Sequence, residues 1–105
     1  MALNGSNAVH SWCKFEGAGN VSSTAVGYNV SSAVDNGEGD YTINFTTAFS
    51  NTNYCQLTGS DNTVNQIRVN CRSAQNTGSY RFVTRGASDN KNDPANGMVA
   101  FIGTS

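Results

Sequence analysis

The chain has 105 residues, a length that allows one domain with a sizeable core and excludes a second, so residues 1–105 are predicted to form a single domain. Charged residues make up 12% of it, against about a quarter in a typical protein, and the net charge is −1. This balance, without a run of either sign, argues against a nucleic-acid partner. The sequence lacks a signal peptide and a long apolar run, so we expect no membrane insertion.

Small and polar residues dominate the composition. The chain contains 15 Asn, 12 Ser, 10 Thr and 11 Gly, which together account for nearly half of it. Leu, Glu and Lys, which favour helices, are scarce, whereas Thr, Val, Tyr and Phe, which favour strands, are frequent. We therefore predict an all-β fold, either a single antiparallel β-sandwich or a small β-barrel of about seven short strands.

Seven segments have the length and the pattern of short strands, with turn-forming residues in every gap. In chain order they are Val9–Glu16, Thr24–Ser31, Asp40–Thr47, Tyr54–Thr58, Val64–Arg72, Tyr80–Arg85 and Met98–Ile102. In the first segment the alternation of a strand places Val9 and Cys13 on one face and Trp12 on the other. Composition predicts a turn at Ser73–Gly78 and an exposed loop at Gly86–Gly97.

The clearest β-hairpin lies between Tyr28 and Phe49. Its second half alternates apolar with polar side chains, as a half-buried strand does: Tyr41, Ile43 and Phe45 against Thr42, Asn44 and Thr46. The preceding segment, Asp35–Asp40, contains Asn36 and Gly37, which are typical of a tight turn because both tolerate positive φ angles. An EF-hand would require a glutamate at position twelve and flanking helices, so a hairpin turn is favoured over a calcium site.

The last predicted strand, MVAFI, is apolar on both faces. An antiparallel strand with one face in water should alternate, so we expect both faces to be covered. One cover is the core of the domain, and the other is a neighbouring subunit, a loop or a second sheet. The residues alone favour neither a homo-oligomer nor a monomer. The candidate oligomer interface consists of Met98, Val99, Ala100, Phe101 and Ile102.

The residues that could support catalysis are few. The single histidine, His10, lies in a predicted strand, and no Gly-x-Ser-x-Gly motif presents a serine nucleophile. Most carboxylates lie in turns, where aspartate stabilises the turn itself, and no pair is singled out for glycoside hydrolysis. His10 and Cys13 are the one close pair of zinc-ligand types, and no second pair follows at finger-like spacing. We predict a structural His10, no catalytic residue, no cofactor and no metal site, and we expect a protein that is not an enzyme.

The cysteines and the tryptophan each have more than one interpretation. Cys13, Cys55 and Cys71 are interpreted as reduced, buried thiols, while a disulfide between Cys55 and Cys71 requires that their strands pair. Trp12 is favoured as a buried core side chain. The alternative for Trp12 is an exposed platform, formed with tyrosines, on which sugar rings stack.

The segment YNVSSAVDNGEGDYTINFTTA, Tyr28–Ala48, resembles a block that recurs in small structural proteins of tailed bacteriophages. In marine and cyanobacterial phages the block reads close to YNVSSITDNGTGDYTVNFTTA. Two flanking pieces are similar to the same family, in the same order and spacing. They are HSWCKFEG at His10–Gly17, similar to a KAWVNFNG opening, and VAFIG at Val99–Gly103, similar to a VAFFG ending. The sequence departs from the family between Cys55 and Pro94.

This resemblance implies a structural protein of the virion, assembled in the host cytoplasm, without enzymatic activity. As a tail-fibre tip it would be a homotrimer that presents variable loops to a host surface glycan or receptor. As a capsid or tail decoration or cement protein it would contact other virion proteins. A stand-alone carbohydrate-binding module is the third interpretation. The candidate recognition loops contain Ser60, Asp61, Asn62, Gln75, Asn76, Thr77, Asn90, Lys91 and Asn92.

Overall fold

The computed structural model describes residues 9–17, 19–61, 69–85 and 96–103. In these ranges the chain forms two four-stranded antiparallel sheets that pack face to face, which confirms the all-β prediction and identifies the sandwich as its architecture. The elements are β1 (Val9–Phe15), α1 (Val21–Thr24), β2 (Val26–Tyr28), β3 (Val30–Gly37), β4 (Asp40–Phe45), β5 (Cys55–Asp61), β6 (Val69–Gln75), β7 (Ser79–Arg85) and β8 (Asn96–Ile102).

The two sheets differ in how their strands are connected. Sheet A has the order β2-β1-β8-β5, so the first and last strands of the chain are neighbours at its centre. Sheet B has the order β3-β4-β7-β6 and consists of two hairpins joined where β4 pairs with β7. Sheet A therefore depends on pairing between distant parts of the chain, whereas sheet B is built largely from local hairpins.

Aromatic rings fill most of the space between the sheets. Tyr41, Ile43 and Phe45 point inward from β4, as the alternating pattern predicts, and each is buried. From sheet A, Phe15 lies 4.8 Å from Tyr41, and Phe101 lies 4.9 Å from Phe45, measured between ring centroids. These separations are in the range of favourable aromatic pairs. Large rings thus supply a core for a chain that contains little Leu.

The predicted strand Thr24–Ser31 is divided between the two sheets, which corrects the prediction of one continuous strand. Helix α1 precedes β2, which pairs in sheet A, and β3 then pairs in sheet B. The break falls at Asn29, whose φ of 57° is left-handed, a conformation that asparagine tolerates better than most residues. Asn29 Oδ1 accepts a hydrogen bond from the Thr47 N–H at 2.9 Å, and Nδ2 donates to the His10 carbonyl at 3.2 Å. These bonds hold the crossover between the sheets in place.

The β3–β4 hairpin is confirmed, but its turn lies at Glu38 and Gly39 and not at Asn36 and Gly37. β3 continues through Gly37, which is paired with Asp40. Gly37 and Gly39 have φ angles of 139° and 64°, so the two glycines adopt the positive φ values. Asn36 has a different role, since its side-chain amide donates a hydrogen bond to Asp40 Oδ1 at 3.4 Å.

Two further boundaries differ from the predictions. β6 runs to Gln75, so the turn predicted at Ser73–Gly78 is confined to Asn76–Gly78. The strand predicted at Val64–Arg72 is present from residue 69 onward, and residues 64–68 lie outside the described residues. In the predicted loop Gly86–Gly97, the last two residues belong to β8 and the others are not described. Within the described ranges no helix is long and apolar enough to cross a membrane.

Candidate functional site

The outer faces of the two sheets differ in polarity. On sheet B, Asn44 Nδ2 donates to Ser32 Oγ at 2.9 Å, and Arg81 forms a bidentate salt bridge with Asp40 at 2.8 and 2.9 Å. Hydrogen bonding to Asp40 raises the pKa of Arg81. Within the described ranges seven large hydrophobic side chains are more than a third exposed, and Val34 is the one that belongs to sheet B. The six on sheet A are Val9, Trp12, Val26, Tyr28, Leu57 and Met98.

The register of sheet A aligns these side chains in rows. Alternate residues of a strand share one face of the sheet, and we call the outward one the apolar face. The central row consists of Tyr28, Trp12, Ala100 and Leu57. The second row consists of Val26, Lys14, Met98 and Gly59. The third row consists of Val9, Ile102 and Cys55.

Trp12 projects from this face and is not a core residue. Its side chain is 44% exposed, so the favoured interpretation of a buried tryptophan is wrong. It lies opposite Tyr28, which is 60% exposed. Between Trp12 and Leu57 runs a shallow groove of about 410 Å³, which the small residues Ala100 and Gly59 leave open. The apolar face thus has an aromatic half on β1 and β2 and a grooved half on β8 and β5.

β8 divides the predicted oligomer interface between two surfaces. Val99 and Phe101 are buried in the core of the chain, and this burial excludes them from contact with a partner. Met98, Ala100 and Ile102 lie on the apolar face. Of the covers considered for the outer face, a loop or a second sheet of the same chain is not found in the described ranges, where Met98 is 38% exposed. On the apolar face these three residues lie beside Trp12 and its neighbours, which were not among the residues predicted for the interface.

A second surface forms at one end of the sandwich, where the loop after β4 packs against the β6–β7 turn. The Phe49 N–H donates to the Thr77 carbonyl at 2.8 Å, and the Tyr54 hydroxyl donates to the Asn76 carbonyl at 2.6 Å. We call this surface, residues 46–54 and 76–78, the loop end. Its backbone is fixed by hydrogen bonds although it has no regular secondary structure.

A stack of three rings anchors the loop end to the core. Phe49 lies 3.6 Å from His10 and 3.9 Å from Tyr54, measured between ring centroids. Burial lowers the pKa of His10, an effect that backbone hydrogen bonds to Thr47 and Ala48 oppose. Burial also raises the pKa of Tyr54 to about 12. His10 is therefore neutral at pH 7, and it is placed as a packing residue beneath the loop end.

The structure separates the predicted recognition residues of the β6–β7 region. Asn76 and Thr77 are exposed in the turn of the loop end. Gln75 is instead the last residue of β6, and its Nε2 donates to the carbonyl oxygens of Thr52 and Tyr54 at 2.8 and 2.9 Å. Gln75 thus holds the neighbouring loop in place and does not extend into solvent as a loop residue would.

The other predicted recognition residues do not form a described loop. Ser60 and Asp61 belong to β5, which corrects their assignment to a loop. Four lie outside the described residues: Asn62, Asn90, Lys91 and Asn92. Conversely, the loop end exposes a polar run that the sequence analysis did not select. Its members are Ser50, Asn51, Thr52 and Asn53, and the signal that could have found them is this run of turn-forming residues after Phe49.

The described cysteines differ in environment. Cys13 is buried, as predicted, and burial raises the pKa of its thiol to about 11. Cys55 is a free thiol exposed on the apolar face, so its interpretation as a buried thiol is wrong. β5 and β6 lie in different sheets, and the strand pairing required for a Cys55–Cys71 disulfide is absent. No group of three or more His, Cys, Asp or Glu residues in the described ranges could hold a metal ion.

Comparison with known proteins reveals a similarity of fold. No family model matches the chain, and no curated protein matches it. The chain is similar to a solved structure of the phiAB6 tailspike in complex with three-repeated oligosaccharides of Acinetobacter baumannii surface polysaccharide. The TM-score is 0.61 at 16% identity, and the match covers 90% of this chain and 20% of the tailspike chain. The chain thus has a fold like that of one part of a phage tail protein.

Proposed function

We propose that the protein is a virion structural protein of a tailed phage that forms the tip of a tail fibre or tailspike and binds a host surface glycan. The observation that carries the proposal is the fold similarity to the phiAB6 tailspike over 90% of the chain. That tailspike was solved with oligosaccharides of a bacterial surface polysaccharide, and this is the ligand class we propose here. The resemblance of Tyr28–Ala48 to phage structural proteins supports the same assignment.

We assign glycan recognition to the loop end. Apart from Ala48, its exposed side chains are neutral amides and hydroxyls, which suit the hydrogen-bonding pattern of sugar hydroxyls. The hydrogen bonds of Tyr54 and Gln75 fix the backbone beneath them, so little conformational entropy is lost when a ligand binds. The proposed role is binding without catalysis, and the protein would reside in the virion as a homotrimer.

A glycan array tests this function. Purified protein is applied to bacterial capsular and lipopolysaccharide glycans, and we expect binding to a small set of them. Replacing two exposed loop-end side chains, Asn53→Ala with Thr77→Ala, should weaken that binding at least about tenfold, as expected when ligand-contacting polar groups are lost. Glu38→Ala is the matched control, because Glu38 lies in the exposed turn at the opposite end of sheet B. Absence of binding to any glycan, or equal loss in the control, would contradict the proposal.

Decoration of the capsid or tail is a second candidate function, and the apolar face favours it. A surface of exposed Trp12, Leu57 and Met98 suits contact with other virion proteins. Quantitative mass spectrometry of purified virions separates the two functions. A fibre tip is present in far fewer copies than the capsid protein, whereas a decoration protein approaches the copy number of its capsid. A number of copies near that of the capsid protein would favour decoration.

A further inference from the structure

We infer that the apolar face is the contact surface between three copies of this chain. In this arrangement the β2 side of one copy, with Val26 and Tyr28, packs into the groove between Trp12 and Leu57 of the next. The inference rests on the proposed function in one respect, because a fibre tip is expected to be a homotrimer. It adds the surface that joins the copies and the residues that form it.

The size and composition of the face fit an interface between subunits. Six large apolar side chains, each between 38% and 60% exposed, lie on one face of one sheet. Together they expose apolar area on the order of 500 Å², near the upper end of the largest patch on a typical monomer. Each partner in a standard interface buries about 800 Å², which this patch and its rim would largely supply. Trp, Tyr and Met are also residue types enriched at interfaces.

The two unlike halves of the face favour a ring over a two-fold dimer. A closed ring requires that one patch of each copy contacts a different patch of the next. On β2, Val26 and Tyr28 are the most exposed large apolar side chains of the face, at 59% and 60%, and act as a ridge, whereas Ala100 and Gly59 leave a groove between Trp12 and Leu57. A ridge and a groove on one face can engage two different neighbours at once. A closed ring satisfies both contacts on every chain, and three is the number of copies expected of a fibre tip.

The same face is poorly suited to a glycan. Sugar sites combine apolar contact with several directed polar groups, commonly including amides. The three rows named above contain neither a carboxylate nor an amide side chain, and the pair that follows in alternation, Asp61 and Asn96, lies beyond the second row at the end of β5 and β8. Lys14, the one charged residue of the three rows, lies in the second row near one end of β1, from which its long side chain can reach water at the rim of an interface. A second copy of the chain is therefore the occupant that this chemistry favours.

Sedimentation equilibrium of the purified protein, from micromolar to submillimolar concentration, tests the inference. The wild type should have three times the mass of one chain. Leu57→Lys places a charge in the groove half, and we expect it to weaken association by roughly a hundredfold or more, because an unpaired charge would be buried. Val34→Lys is the matched control, since Val34 is also an exposed apolar strand residue, on the outer face of sheet B. Circular dichroism checks that each variant is folded. If Leu57→Lys does not fold, Leu57→Ser is the milder replacement.

Three outcomes would overturn the inference. One is a wild type that stays monomeric, and another is a dimer. The third is a trimer that Leu57→Lys and Tyr28→Lys leave intact. If the wild type is monomeric and Trp12→Ala also loses glycan binding, the occupant of the face is a glycan. Failure of the glycan proposal has a separate signature, because a trimer that binds no glycan on the array would leave the interface intact.

Discussion

His10 is the single histidine of the chain, and its burial makes the fold sensitive to acid. Because burial lowers the pKa of His10 in the folded state below its usual 6.5, the unfolded chain takes up the proton first as the pH falls. Stability is lost wherever the unfolded state binds more protons than the folded state. The free energy of unfolding should therefore be nearly constant above the unfolded pKa and decrease as the pH falls through about 6.5.

Urea unfolding at about pH 7.5 and about pH 5.5 measures this effect, over a range in which few carboxylates titrate. His10→Phe is the control, because it keeps an aromatic ring against Phe49 and removes the titrating group. The loss of stability between the two pH values should be present in the wild type and absent in the variant. A wild type that gains stability at the lower pH would contradict the assignment of a neutral, buried imidazole.

Gly97 illustrates how the aromatic core restricts the backbone next to it. A Cβ at this position would lie 2.5 Å from Cζ of Phe15, whose ring is buried and cannot move away freely. We predict that Gly97→Ala lowers the free energy of unfolding by about 1–3 kcal/mol, the usual cost of overpacking. Gly78→Ala is the control, since a Cβ there has no neighbour within 4 Å. Urea unfolding compares the two, and equal stability of both variants would contradict the close approach.

At the scale of whole elements, Asn29 determines where β2 ends and β3 begins. Asn29→Ala places a residue in the left-handed region at a cost of about 1–2 kcal/mol and removes the bonds to Thr47 and His10, worth about 1 kcal/mol each. We predict that urea unfolding will detect a loss of about 3–4 kcal/mol from these terms. Asn29→Gly should recover the backbone part of the loss but not the hydrogen bonds. If the two variants were equally stable, the conformation at Asn29 would not be the cause.

The sequence predicts an element well when its apolar and polar side chains alternate regularly along its whole length. β4 is such a case, because Tyr41, Ile43 and Phe45 alternate with polar residues and face one core. The pattern fails where the backbone departs from the regular repeat. A β-bulge between Val9 and Ser11 changes the parity of β1, so Val9 points outward although it was grouped with Cys13. Bulges and left-handed residues leave little trace in hydrophobic periodicity.

The residues of the apolar face could not be predicted from the sequence for a different reason. Its central row joins residues from four strands, and which strands are neighbours depends on long-range pairing. The outward parity of Trp12 relative to Cys13 is visible in the sequence, but its position opposite Tyr28 and Ala100 requires the register of β1 with β2 and β8. The loop end is similar, since the Phe49–Thr77 hydrogen bond joins two loops distant in the chain.

At the scale of the whole molecule, the two surfaces lie on different sides of the sandwich. The apolar face covers the outer side of sheet A, whereas the loop end lies at the ends of the strands, beyond Phe45 of β4 and Gln75 of β6. Copies joined through the apolar face would therefore leave the loop end accessible. The sandwich can in this way provide both the proposed assembly surface and a separate proposed recognition surface.

Association through the apolar face has a consequence for thermal stability. When folding is coupled to assembly, mass action makes the Tm rise with protein concentration, because the unfolded chains are monomers. We predict that the Tm of the wild type increases between micromolar and submillimolar protein. Leu57→Lys should unfold at a Tm that depends less on concentration, since it weakens the assembly and leaves the core of each chain unchanged. Differential scanning fluorimetry over a dilution series measures both.

Val34→Lys serves again as the control and should follow the concentration dependence of the wild type, because its charge lies on the opposite sheet. The comparison separates assembly from folding: at high dilution, wild type and Leu57→Lys should approach the same Tm, since each then reports the stability of an isolated sandwich. A Tm of the wild type that does not change over the whole series would argue against coupled assembly. A Leu57→Lys protein that retains the slope of the wild type would place the contact between copies on another surface of the sandwich.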